Sequence, residues 1–220
     1  MLLPEDIDAF VSASAPEHDP IQAEMAEEAA ERGFPIIGRV AGSYLQGMAA
    51  ARSAEAVFEF GSGFGYSATW FLKGMSPSGE IVLTERDPDN VNQAEAYLRR
   101  AGHADRATVE QGDALEIVDS YEGPFDVVLL DHDKEHYLDG FERVEEKVKP
   151  GGVVITDNIM RGPVSYEEIL EYVTSGEGMP DDRTAAGLVS YLRGVSDRDD
   201  FHTFVLPIGN GLAVSTRLDG

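Results

Sequence analysis

The sequence predicts an α/β protein: a doubly wound, mostly parallel seven-stranded sheet with helices on both faces. An N-terminal helical extension and a C-terminal antiparallel hairpin complete it. Three observations predict this class. Short apolar runs alternate with helical stretches from Ala56 onward, a glycine-rich turn follows the first run, and two strand-like segments flank Ile208-Gly209-Asn210 near the end. Strand and helix in alternation imply right-handed crossovers, and hence a parallel sheet.

The first 55 residues read as helices, over Ala23 to Arg32 and Gly38 to Ala51, with Gly33 and Pro35 as the break between them. The expected strands are Ala56–Phe60, Ile81–Thr84, Ala107–Glu110, Val127–Leu130 and Val153–Thr156, short runs that suggest burial on both faces. Helices are expected between them. One covers Tyr66 to Met75. Another is capped by Asp87, opens on Pro88 and stops before Gly102. A third, Tyr137 to Val148, is closed by Pro150-Gly151-Gly152. Phe201 to Pro207 and Gly211 to Thr216 read as the terminal hairpin. Residues 1–220 form one expected domain, with 1–55 as helical extension and 56–220 as a Rossmann-like core.

Charge narrows the partners. The 220 residues hold 41 Asp and Glu against 17 Lys and Arg, a formal net charge of -24. Such a chain repels nucleic acid and anionic membranes alike. Only four lysines occur (Lys73, Lys134, Lys147 and Lys149), and the excess of carboxylates over lysine suits a solvated surface in a saline cytoplasm. An ordinary acidic protein is the plainer alternative. With no cysteine, disulfides and thiolate chemistry are excluded. No run reaches the ~18 apolar residues of a spanning helix. The start, Met1-Leu2-Leu3-Pro4-Glu5-Asp6, lacks the pattern of a signal peptide, so a cytoplasmic location is expected.

Glu59-Phe60-Gly61-Ser62-Gly63-Phe64-Gly65-Tyr66 runs from a strand through a glycine turn into a helix. Such turns lie at the carboxyl ends of parallel strands, where ligands bind. Tyr66 stands where a dinucleotide loop needs its third glycine, and no Gly-Lys-Ser/Thr follows. A nucleoside ligand without a bound pyrophosphate remains, S-adenosylmethionine foremost. Glu85 can accept both ribose hydroxyls, and Gln111-Gly112-Asp113-Ala114 lies where an adenine would sit.

Asp131-His132-Asp133-Lys134 follows the fourth apolar run and Asp157-Asn158 the fifth. If those strands pair, Asp131, Asp157 and Asn158 form an all-oxygen set suited to Mg²⁺, with Mn²⁺ or Ca²⁺ as alternatives. Lys134 reads equally as an ion-pair partner of Asp131 or Glu135 and as a base, since nearby positive charge disfavours an ammonium. His132 and His136 offer a rival zinc or iron pair, but no third histidine in a motif supports it. His132 is read instead as shaping the cofactor pocket, while His18, His103 and His202 read as surface or turn residues.

These residues together resemble the cation-dependent O-methyltransferases, the group of catechol and caffeoyl-CoA O-methyltransferases. The resemblance runs from about Ala23 to Arg217. It begins at Ala26-Glu27-Glu28 and Gly33-Phe34-Pro35-Ile36-Ile37, and passes through Glu59 to Ser67, Glu85, Gly112-Asp113-Ala114, Asp131 to Lys134 and Asp157-Asn158. Leu206-Pro207-Ile208-Gly209-Asn210-Gly211-Leu212 matches the terminal hairpin. The resemblance implies cofactor contacts from Glu59, Gly61, Ser62, Gly63, Gly65, Tyr66, Ser67, Glu85, Arg86, Gly112, Asp113, Ala114, Asp131 and His132. It implies a cation on Asp131, Asp157 and Asn158, chelating adjacent hydroxyls of an aromatic diol, and Lys134 as the base. The products would be a methyl ether and S-adenosylhomocysteine.

Family relatives also suggest a homodimer, and the acid excess suggests a halophilic archaeal source. Two departures bear on the substrate. Asp133 replaces a tryptophan of the catechol enzymes, and residues 1–72 hold no lysine to meet a coenzyme A ester. Arg161 to Arg183, expected to cover the pocket, matches no recognised substrate type. A nicotinamide oxidoreductase is disfavoured by Tyr66. Action on tRNA is disfavoured by charge, and a non-catalytic cofactor-binding protein by the presence of all four metal and base residues.

Overall fold

The computed structural model describes residues 3–219; Met1 and Leu2, part of the leader argument, lie outside the described residues, as does Gly220. Three helices come first: α1 (Glu5–Ser14), α2 (Pro20–Arg32) and α3 (Gly38–Ala51). The core follows as β1 (Ala56–Phe60), α4 (Tyr66–Gly74), β2 (Glu80–Glu85), α5 (Pro88–Arg100), β3 (Ala107–Gln111), α6 (Ala114–Ile117) and β4 (Phe125–Leu130). It continues with α7 (Tyr137–Val144), β5 (Val148–Thr156), α8 (Tyr166–Ser175), α9 (Arg183–Ser196), β6 (Phe201–Leu206) and β7 (Leu212–Arg217).

The seven strands run in the order β3-β2-β1-β4-β5-β7-β6. The first five are parallel, and β7 pairs antiparallel with both β5 and β6. The expected fold class holds. Side chains alternate along each strand, so the sheet feeds two cores. Val57, Val127, Leu129 and Ile155 pack towards α2, α3 and α4. Phe58, Phe60, Val128 and Leu130 pack towards α7 and α9. Strand order reverses between β1 and β4, which opens a crevice at their carboxyl ends.

Several expectations need correction. The helix from Tyr137 stops at Val144, and Glu145–Lys147 form a 3-10 turn, so Val148 through Gly152 belong to a strand rather than a helix end. Pro150-Gly151-Gly152 is a bulge there: the register jumps from Phe125↔Val148 to Val127↔Val153. Strand β3 is not buried on both faces, because it is the sheet edge and exposes Thr108 and Gln111.

Helix α1 was not expected, and it buries none of its residues. Arg39 of α3 holds its end, donating to the carbonyls of Ser12 at 2.7 Å and Ala15 at 2.7 Å. His18 is not a plain surface residue. Its Nε2 lies 2.6 Å from the Tyr66 hydroxyl, and its ring centroid is 5.9 Å from that of Trp70.

Candidate functional site

The crevice holds a cavity of about 550 Å³. Its floor is the turn after β1. Gly61 has φ +78°, and a Cβ there would lie 2.5 Å from the Asp131 carbonyl oxygen, so only glycine lets the turn pass β4 this closely. Amides of Gly61 and Ser62 donate to the Thr84 carbonyl at 3.1 and 2.9 Å, which ties the turn to β2. At Gly63 a Cβ would meet the Phe34 ring at 2.9 Å, so that ring from the α2–α3 loop lies directly over the turn.

The structure gathers most of the expected cofactor residues on the cavity wall: Gly61, Ser62, Gly63, Tyr66, Ser67, Glu85, Arg86, Gly112, Ala114, Asp131 and His132. Gly65 caps α4 behind them. Glu59 and Asp113 do not line the cavity but act through neighbours. Glu59 is buried and accepts the Ser67 hydroxyl, while its Oε2 has no partner. Burial pushes its carboxyl up to about 8, and the charges of Asp131 and Glu85 add to this. Asp113 caps α6 through the Leu115 amide at 2.9 Å and pairs with Arg86 at 2.7 Å. Burial raises its carboxyl, but those two contacts outweigh it and hold it below the usual range.

At the ends of β4 and β5 stand Asp131, Lys134, Asp157 and Asn158. Strand pairing of Leu130 with Thr156 sets the two segments side by side. Lys134 Nζ donates to Asn158 Oδ1 at 2.7 Å and to Asp131 Oδ1 at 3.2 Å, and lies 4.9 Å from the centre of the Tyr137 ring. The ion-pair reading of Lys134 is thus realised with Asp131, while Glu135 pairs with Arg183 at 2.6 Å. Asp157 is 1% exposed and its Oδ1 has no partner. Burial and the neighbouring Asp131 charge push its carboxyl up to about 8. Burial also raises Asp131, against the pull of Lys134. Asn158 adopts φ +57°, an uncommon left-handed backbone for a side-chain-bearing residue.

These facts bear on a metal. Two adjacent carboxylates, one buried oxygen left unpartnered and one amide oxygen form a hard donor set that fits Mg²⁺. Histidine ligation lacks that support. His132 Nε2 lies 3.1 Å from the His136 carbonyl oxygen, and His136 Nδ1 lies 2.9 Å from Asp139. Burial drives His132 down to about 4, so its ring is neutral and Nε2 carries the donated proton. Among the described residues no three His, Cys, Asp or Glu side chains are grouped as metal ligands.

Of the segment Arg161 to Arg183 expected to cover the pocket, Gly162 and Pro163 line the cavity, as does Asp133, while Phe34, Pro35, Ile36, Ile37 and Asn210 line it without having been singled out as site residues. Asn210-Gly211 did signal a tight turn. Nothing local shows that this turn faces the cavity, a fact set by long-range pairing. There the Asn210 carbonyl accepts the amides of Met160 at 3.0 Å and Arg161 at 2.9 Å, and the Gly211 carbonyl accepts that of Ile159 at 3.0 Å. The hairpin tip therefore holds the segment that carries Asn158.

A parallel-sheet switch point with a glycine turn, a strand-end acid and a carboxylate–lysine cluster defines a nucleoside-cofactor enzyme of the α/β class. Comparison with known proteins makes this specific. Residues 11–218 match the family model described as O-methyltransferase, and the chain belongs to that family. It is 35% identical over 162 residues to a catechol O-methyltransferase of Mycobacterium tuberculosis, covering 72% of this chain and 74% of that one. To the catechol O-methyltransferase of Niastella koreensis it is 28% identical over 179 residues, 78% and 81% of the two chains.

Among solved structures, a methyltransferase from Geobacter sulfurreducens superposes with a TM-score of 0.80 at 27% identity, over 99% of this chain and 100% of that one. The O-methyltransferase from Bacillus cereus in complex with SAH gives a TM-score of 0.83 at 24% identity, over 96% and 97%. Among the described residues no helix is long and apolar enough to cross a membrane.

Proposed function

We propose that the chain transfers a methyl group from S-adenosylmethionine to one hydroxyl of a small, catechol-like diol held by a divalent cation. The observation that carries this reading is the cluster at the ends of β4 and β5. Lys134, Asp131, Asn158 and Asp157 line the same cavity as the glycine turn.

The roles follow from the residues. Gly61 and Gly63 let the ligand reach the backbone, and Glu85 offers a carboxylate to its ribose hydroxyls. Asp131, Asp157 and Asn158 would hold Mg²⁺, which when bound lowers the pKa of a coordinated hydroxyl and fixes its direction. S-adenosylmethionine supplies the methyl group. Lys134 Nζ, positioned by Asn158 and Asp131, would act as the neutral amine and take up the hydroxyl proton, leaving an oxyanion as nucleophile. Phe34, Ile36, Ile37 and Pro163 form an apolar wall that limits water at the reacting atoms. An uncharged diol suits the acid-rich surroundings better than a coenzyme A ester. The carboxylate-rich surface supports work in a salt-rich cytoplasm.

A methyl-transfer assay over a panel of catechols, with Mg²⁺ and with EDTA, tests this. Methylation that needs the cation is expected. Transfer to an accepted diol that EDTA leaves untouched would overturn the metal assignment.

A further inference from the structure

Arg86 sits one residue beyond β2 and spans the cavity mouth in two directions. Its Nη2 donates to Asp113 Oδ2 at 2.7 Å, beyond the end of β3, and its Nη1 donates to Asp133 Oδ2 at 2.7 Å, beyond the end of β4. β1 and its glycine turn lie between β2 and β4, so the second bond crosses above the turn. Arg86 and Asp133 both line the cavity, beside Gly112 and Ala114.

The two acids are used differently. Asp113 caps its helix and meets Arg86 with its other oxygen. Asp133 holds the N-cap position of the 3-10 turn Lys134–His136 yet makes no side-chain cap bond. Asp19, Asp87 and Asp182 all cap the helices they precede. The Asp133 carboxylate is taken instead by Arg86. The planar guanidinium can serve two carboxylates at once, which a lysine ammonium on one flexible stem does less well.

We propose that Arg86 is a positioning residue that clasps Asp113 and Asp133 into an ion-paired rim over the nucleoside end of the cavity, and so retains the bound cofactor. The inference rests on reading the cavity as an S-adenosyl site. Arg86, Asp113 and Asp133 keep 56%, 36% and 61% of their side-chain surface, so salt reaches the clasp and screens it. Cofactor retention by this rim is therefore strongest in dilute salt and fades as salt rises.

Calorimetric titration of S-adenosylhomocysteine into the wild type, Arg86→Ala, Arg86→Lys and Asp133→Asn, at about 0.1 M and about 1 M KCl, tests the clasp. Two exposed pairs predict roughly 2- to 30-fold weaker binding by Arg86→Ala in dilute salt, with the gap narrowing at high salt. Arg86→Lys should recover less than half of the loss, and Asp133→Asn should show a smaller gap that narrows likewise. Adding Asp133→Asn to Arg86→Ala should cost nothing further, since the partner is already gone. A bystander arginine predicts equal affinities, and a purely structural one predicts a gap that salt leaves unchanged; either result overturns the proposal. If Arg86→Ala does not fold, Asp133→Asn decides by the same two criteria. Failure of the wild type to bind S-adenosylhomocysteine would overturn the cofactor reading itself, and the clasp with it.

Discussion

Lys134 stands just beyond β4 and Glu59 within β1, and the two side chains are partnered differently. Lys134 has three acceptors within reach: Asn158 Oδ1, Asp131 Oδ1 and the His132 carbonyl, the last at 3.3 Å. Removing it as Lys134→Ala should lower turnover by about 10²- to 10⁴-fold, the usual worth of a positioned base, while affinity for S-adenosylhomocysteine stays put. Single-turnover kinetics beside a binding titration would show it, and retained turnover would remove Lys134 from the chemistry. Glu59 is buried within β1 with one oxygen unpartnered. Its carboxyl is raised in the fold, from 4.5 to about 8, so the folded state binds the proton more tightly. The stability this gives is complete below pH 4.5 and is lost as pH climbs through about 8. Glu59→Gln keeps a group for Ser67 and cannot ionise. Denaturant midpoints should therefore fall less across that window in the variant than in the wild type, and parallel profiles would refute a buried neutral Glu59.

At the level of elements, the parallel strands were legible because their apolar runs are short, bounded by turns and separated by helices with readable caps. Asp87-Pro88 marks the start of α5 by the same physics that the structure shows: an aspartate side chain accepting the Asp89 amide at 2.8 Å. β5 was only half legible, since Pro150-Gly151-Gly152 looks like a helix stop when it is a bulge. α1 was illegible, as its residues meet no core that would impose a period. Of the site, Lys134 and the acids were legible because strand-end placement follows from the alternation. The apolar wall was not, because Phe34, Ile36 and Ile37 come from one loop and Pro163 from another, joined only by tertiary contacts. One loop begins at α2, whose capping box at Asp19 and Gln22 also docks on α4 through Gln22 Nε2 to Thr69 Oγ1 at 3.1 Å. Asp19→Ala should cost about 0.5–2 kcal/mol, read as a lower denaturant midpoint at constant slope.

On the scale of the whole molecule, the 41 carboxylates divide into a few gathered at strand ends around the cavity and a large remainder elsewhere. Self-repulsion of that remainder opposes compaction in dilute solution. Raising KCl from about 0.1 M to about 1 M should therefore raise the thermal unfolding midpoint, because the screening length shrinks from ~10 Å to ~3 Å. A falling midpoint would mean that the many arginine–carboxylate pairs outweigh the repulsion.

The place of β7 carries a consequence for how the chain is made. A ribosome delivers β5 long before residues 212–217, yet β7 is the strand that covers the edge of β5. Until it arrives, Val153, Val154 and Ile155, all fully buried in the finished sheet, border an open row of backbone donors and acceptors. The nascent protein thus passes through a stage at which a strand meant for the centre of the sheet can pair with a stranger's. Chains ending at Ser196 should collect in the insoluble fraction on synthesis, where the full-length chain stays in solution.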